Sequence, residues 1–294
     1  MVKKDTGFQV LDHLIMIILC ALVVFPLALL VMSSITPESD VIKYGYSLIP
    51  NQIDLTAYKY IFGEGSVFHA YLITIFVTVV GTCISVIVTT MISYTLTVPG
   101  LPGKSILSFY VLFTMLFSGG LVPSYMMWTN IFHIKNTIWA LLLPSLLCSA
   151  FHIMITRSYF QNNIPNEILE SARIDGMSEF GIFFKIVLPL SVPIIATIGF
   201  MKALMYWNDW TNSLYYITDK KLVSIQALLN NMLTNVQYLA QSMDASMIAT
   251  DTATIPSLTL RMAIAVVGML PMIILYPFFQ KYYMKGLTVG AVKG

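Results

Sequence analysis

Apolar side chains along this chain gather into six long stretches, near 14–35, 70–97, 105–128, 137–156, 187–208 and 258–280. About 20 apolar residues are what a helix needs to cross roughly 30 Å of hydrocarbon. The pattern therefore predicts an all-α, polytopic membrane protein with six transmembrane helices and one membrane domain over residues 1–294. Prolines at 26, 123, 144, 193 and 271 fall in or at the ends of these stretches. They predict bent helices, either around a pathway or as ordinary kinks, because proline removes a backbone donor that a neighbour must replace. Lys3 and Lys4 precede the first stretch like the start of a signal peptide. That stretch is longer than the usual apolar region of about 7–15 residues, so a retained first span is expected.

The polar segments between the stretches set the orientation. An even number of spans places both termini on one side. With that side inside, Lys3, Lys4, Lys104, Arg157, Arg173, Lys185, Lys281, Lys285 and Lys293 are cytoplasmic, against Lys43, Lys59, Lys135, Lys220 and Lys221 outside. The bias predicts an N-in, C-in protein of the cell membrane. Among the outer connections, 36–69 and 211–257 are the longest. In the second, Ile225, Leu228, Leu229, Met232, Val236 and Leu239 recur at helical spacing opposite Asn230, Asn231, Asn235 and Gln241. This predicts an amphipathic helix that packs on the bundle or meets a partner.

Composition narrows the class. Hydrophobic residues make up 57% of the chain and charged residues 10%, against about a quarter charged in soluble domains. The formal charge of +2 is dispersed, so no nucleic-acid partner is indicated. Cys20, Cys83 and Cys148 lie inside apolar runs without CxxC spacing, and His13, His69, His133 and His152 are isolated. No metal site and no catalytic constellation is expected. Gly103-Lys104-Ser105 mimics the end of a phosphate-binding loop, but Val98 stands where the motif needs glycine and a span stands where it needs a strand. A tight inner turn through Gly100, Pro102 and Gly103 explains it.

Residues 158–186, between the fourth and fifth stretches, are charged and punctuated by glycine. Asn163 and Pro165 predict a helix start with Glu167 at its positive end. Gly176 supplies a positive φ to end the helix after about Asp175. Ser178 then caps a second helix running through Phe184. Ser171 and Ala172 permit close approach to another surface, Ile168, Leu169 and Ile174 offer apolar contact, and Glu170, Arg173 and Asp175 offer polar anchors. Leu188-Pro189 stiffens the return into the bilayer. On spacing alone this is either a docking surface or an ordinary inter-span loop.

Charged and amphipathic residues within the spans are further candidates. Lys202 is costly at membrane depth, and Asp209 lies two helical turns further on, so a local ion pair competes with a functional role. Arg261 shares that ambiguity. Tyr206, Trp207, Asn208, Trp210 and Asn212 combine aromatic faces with hydrogen-bonding groups suited to sugars, or else form an interfacial belt.

The loop resembles the Glu-Ala-Ala loop of ABC importer permeases, with Glu170, Ala172, Asp175, Gly176, Ile186, Leu188 and Pro189 at the matching places and Ser171 and Met177 departing from it. The likeness extends along the chain to the carbohydrate, maltose-type branch. It takes in Ser33-Ser34, Leu48-Ile49-Pro50, Tyr58, Trp207-Asn208-Asp209-Trp210 and the ending from Phe279 to Gly294. The resemblance implies a type I ABC importer permease fold and no ATPase in this chain. It also implies a homologous second permease, two ABC ATPase subunits that bind ATP and Mg²⁺, and an extracytoplasmic solute-binding protein that delivers sugar. Glu170, Ala172, Asp175, Gly176, Leu188 and Pro189 would couple to the ATPase, and the tail at Lys293 and Gly294 would reach between its subunits. A permease for a non-sugar solute and an independent secondary carrier are the alternatives.

Overall fold

The computed structural model describes residues 6–63, 65–244 and 257–291, and those residues hold helices and no strand. In chain order the helices are α1 (Thr6–Ser34), α2 (Glu38–Tyr44), α3 (Thr56–Phe62), α4 (Ser66–Thr95), α5 (Lys104–Leu116), α6 (Leu121–Met126) and α7 (Trp139–Leu142). There follow α8 (Ala150–Asn163), α9 (Asn166–Ile174), α10 (Glu179–Ile182), α11 (Leu188–Leu190), α12 (Val192–Trp207), α13 (Thr211–Tyr216), α14 (Ile225–Asp244) and α15 (Ser257–Ala291). Wide five-residue turns at Met127–Ile131 and Phe183–Val187 extend α6 and α10.

Three helices are long and apolar enough to span alone: Gln9–Ser34, Ser66–Thr95 and Leu258–Phe278. The third stretch, expected as one span over 105–128, is two helices, Lys104–Leu116 and Leu121–Ile131, bent by 116°. Ser118 and Gly119 make the corner with Gly120 at φ 86°, and Pro123 starts the new direction. The fourth, expected over 137–156, breaks between Leu142 and Ala150 around Pro144, with Ser145 at φ 62°. The fifth joins Glu179–Leu190 to Val192–Trp207 at 83°. The six apolar stretches are thus three continuous helices, two bent pairs and one broken segment, so three to five of them meet the length and apolarity that a span requires. The turn between α4 and α5 has the expected tight form, with Gly100 and Gly103 at φ 71° and 76°.

The chain forms two compact units, residues 1–67 with 229–271, and residues 68–228 with 272–294. In the first, α1 shows outward-facing apolar side chains from Val10 to Phe25, as lipid permits. Ser34 Oγ and Tyr58 Oη lie 2.7 Å apart, and Asp54 N donates to Ile35 O at 2.8 Å, drawing the connection from α1 to α3 onto the end of α1. Glu38 meets the start of α15. Its Oε1 accepts from Leu258 N, and its Oε2 accepts from Thr259 N and Thr259 Oγ1, each at 2.9 Å. First-turn amides have no intrahelical acceptor, and the positive helix end favours a carboxylate. Glu38→Ala should therefore lower stability by about 1–2 kcal/mol, seen as a lower melting temperature of the purified protein in detergent.

In the second unit one apolar cluster joins Val77, Leu141, Leu142, Tyr206 and Tyr216. Another joins Tyr94, Phe160, Leu169, Ala172, Phe183, Val187 and Ile198. Both include residues of α4 and α12. The amphipathic helix expected after residue 224 is α14, with Ile225, Leu229 and Val236 buried.

Candidate functional site

Two local structures in the second unit carry the polar chemistry. The first is the elbow of α9 and α10. Pro165 occupies the N-cap of α9, and Glu167 lies in its first turn. The helix ends as its sequence dictates: Gly176 takes φ 79°, Gly176 N donates to Arg173 O at 3.0 Å, and Met177 N donates to Ala172 O at 3.0 Å. These paired bonds satisfy carbonyls that the helix end would leave open. Ser178 Oγ accepts from Gly181 N at 3.2 Å and caps α10.

Burial divides α9 into two faces. Leu169 and Ala172 turn inward onto Tyr94 of α4, Phe160 of α8 and Phe183. The small size of Ala172 thus serves packing within this chain. Glu170, Ser171, Asp175 and Gly176 are exposed, and Ile174 is 87% exposed at the corner. Leu188 is partly buried and Pro189 exposed where the elbow meets α12. Arg173 Nε donates to Glu179 Oε1 at 2.7 Å, the one ion pair among the described residues. That hydrogen bond holds the Arg173 guanidinium above its ordinary pKa. The other carboxylate oxygen, Glu179 Oε2, accepts from Tyr94 Oη at 2.5 Å.

The second structure is the break between α7 and α8. Buried backbone carbonyls need partners, and four side chains provide them here. Tyr206 Oη donates to Leu142 O at 2.9 Å, and Asn212 Nδ2 donates to Pro144 O at 3.0 Å. Lys202 Nζ donates to Leu146 O, and Ser85 Oγ donates to Leu147 O, each at 2.6 Å. Lys202, fully buried, therefore meets a carbonyl and forms no ion pair with Asp209. Asp209 instead accepts from Thr211 Oγ1 at 2.8 Å and Asn212 N at 3.3 Å, while burial pushes its carboxyl pKa up. Of the other pathway candidates, Trp207 is buried beside the Tyr71 ring, Asn208 is exposed with Nδ2 on Leu204 O, and Trp210 is on the surface. Lys293 and Gly294 lie outside the described residues.

Sequence reasoning found Gly176 and Ser178, whose signals are local. It missed Tyr94, Ser85 and the role of Glu179. The available signal for Glu179 was an acid six residues beyond Arg173 across a glycine corner; for Tyr94 and Ser85 only a polar tip within an apolar run marked them.

Residues 72–289 match the family described as the binding-protein-dependent transport system inner membrane component, and the chain belongs to that family. It is 36% identical to the polygalacturonan/rhamnogalacturonan transport system permease protein YtcP of Bacillus subtilis, covering 99% of this chain and 100% of that one. It is 28% identical to the arabinooligosaccharides transport system permease protein AraQ of Halalkalibacterium halodurans, covering 92% and 91%. Its fold matches a chain of a bacterial ABC transporter involved in import of the acidic polysaccharide alginate, with TM-score 0.77 and 24% identity over 96% of this chain and 99% of that one. The fold is that of the type I ABC importer permeases, and the family is a membrane component rather than an ATPase.

Proposed function

We propose that this chain is one permease subunit of an ATP-driven oligosaccharide importer and forms half of its translocation pathway. The full-length similarity to the polygalacturonan/rhamnogalacturonan permease carries this reading. The chain works with a homologous second permease, two ATPase subunits holding ATP and Mg²⁺, and an extracytoplasmic binding protein that presents the sugar. It lies in the cell membrane as one transmembrane domain with both termini inside, as the distribution of lysine and arginine supports.

The exposed face of α9 docks on the ATPase. Supporting this are an inward face already filled by the chain's own core and an outward face pairing Glu170 and Asp175 with the exposed Ile168 and Ile174. Gly176 fixes the corner, and Leu188-Pro189 passes its motion to α12. Tyr206, Trp207, Asn208, Trp210 and Asn212 border the pathway, with Tyr206 and Asn212 acting through the broken segment. The tail at Lys293 and Gly294 contacts the ATPase.

Affinity purification from the native membrane in mild detergent tests this assembly. A P-loop ATPase and a second multi-span subunit should co-purify, with ATPase activity raised by binding protein loaded with digalacturonate or an arabino-oligosaccharide. Recovery of the chain alone and without ATPase activity would turn the assignment to an independent carrier; stimulation only by a non-sugar solute would move it to another importer branch. Glu170→Lys should lower retention of the ATPase more than tenfold, because reversing a charge at a docked face costs about 2 kcal/mol or more. Co-purification yields compared with wild type measure it, and full retention excludes Glu170 from the interface.

A further inference from the structure

We infer that Glu179 is a positioning residue that clamps the docking helix to α4, so that ATPase movement reaches the broken segment from two sides. The inference rests on the coupling reading above. Glu179 divides its two oxygens between two helices: Oε1 holds Arg173 of α9 at 2.7 Å, and Oε2 holds Tyr94 near the end of α4 at 2.5 Å. It stands itself on α10, which leads through α11 into α12. One carboxylate therefore ties three elements of the elbow region by directional, charge-assisted bonds.

The helices so tied are the ones that grip the break at 143–149. Ser85 of α4 holds Leu147 O, while Lys202 and Tyr206 of α12 hold Leu146 O and Leu142 O. A displacement of α9 passes to α12 along the chain, through α10 and α11. To reach α4 it has apolar contact and the link from Glu179 to Tyr94. Two open clefts flank the joint, one of about 280 Å³ bordered by Tyr94, Glu170 and Arg173 and another of about 200 Å³ bordered by Tyr94, Glu179 and Phe183. Apolar contact is non-directional, so the polar link is what fixes the register of the joint on the α4 side. Without it, α9 and α12 move while α4 lags, and the three bonds that α4 and α12 make across the break are pulled unevenly.

The test uses the complete complex with its ATPase subunits and follows amide hydrogen exchange with and without trapping by ATP and vanadate. In the wild type, trapping should change exchange both in α9 and at residues 143–149. Tyr94→Phe keeps the ring against Phe183, whose centroid is 5.5 Å away, and deletes one hydroxyl. Glu179→Gln keeps an acceptor oxygen and loses the charge. Both variants should retain the ATPase and the response of α9, while the response at 143–149 shrinks about tenfold, a typical coupling between sites.

An undiminished response at 143–149 in both variants overturns the inference, as does a wild-type complex that responds at α9 alone. Loss of the α9 response in the variants makes Glu179 part of the docking surface and overturns it too. A wild-type complex with no response at α9 sinks the coupling reading itself, an outcome separate from the others.

Discussion

Gly176→Pro is expected to abolish uptake while the chain still inserts in the membrane. Two separate requirements fail at once. Gly176 sits at φ 79°, whereas a proline ring fixes φ near about −65°. Its N–H donates to Arg173 O at 3.0 Å, and proline has no donor. The loss exceeds about 3 kcal/mol at a helix end that α9 and α10 share. Sterics play no part, because a Cβ at this position would meet nothing within 4 Å. Gly176→Ala should therefore cost only the left-handed penalty of about 1–2 kcal/mol and leave partial uptake. Gly176→Asn should cost less still. Uptake of labelled digalacturonate or arabino-oligosaccharide in cells, beside immunoblots of the membrane fraction, gives the ranking glycine, asparagine, alanine, proline. Normal uptake by the proline variant would remove the corner from the coupling path.

The elbow was legible in sequence because each of its signals is local. A glycine that needs positive φ, a serine before a helix and a proline at a helix start are all readable within fourteen residues, and Gly176, Ser178 and Pro165 fill those places. The spans were legible only in number and extent. Hydrophobic length does not say whether an apolar run is one helix, and the runs at 105–128 and 137–156 turn out bent and broken. Pro144 and Gly119-Gly120 marked the places, yet a break is tolerable only if distant side chains cap its carbonyls. Ser85, Lys202, Tyr206 and Asn212 are 56 to 68 residues from the carbonyls they cap. The spacing of Lys202 and Asp209 likewise suggested an ion pair, because helical periodicity sees the same helix and not the chain packed beside it. Glu38 at the start of α15 is the same kind of case, with its partners more than 200 residues away.

Gly81→Ala is expected to destabilise the protein out of proportion to one methyl group. A Cβ built on Gly81 would lie 2.5, 2.6 and 2.8 Å from Cζ, Cε1 and Cε2 of the Tyr206 ring. That ring is 2% exposed and tethered by its hydroxyl to Leu142 O at 2.9 Å, so it cannot withdraw and keep its bond. Overpacking costs about 1–3 kcal/mol, and a buried carbonyl left without a donor costs about 1–3 more. The same methyl should therefore strain the contact of α4 with α12 and loosen the broken segment together. A thermal double-mutant cycle reads the link. Tyr206→Phe alone should cost about 1–3 kcal/mol, because it leaves Leu142 O without its donor. In the Gly81→Ala background it should cost little, because the bond is already broken, giving a non-additive pair. Additive costs would mean that the ring finds room and keeps Leu142 O, and that Gly81 does not hold the segment closed.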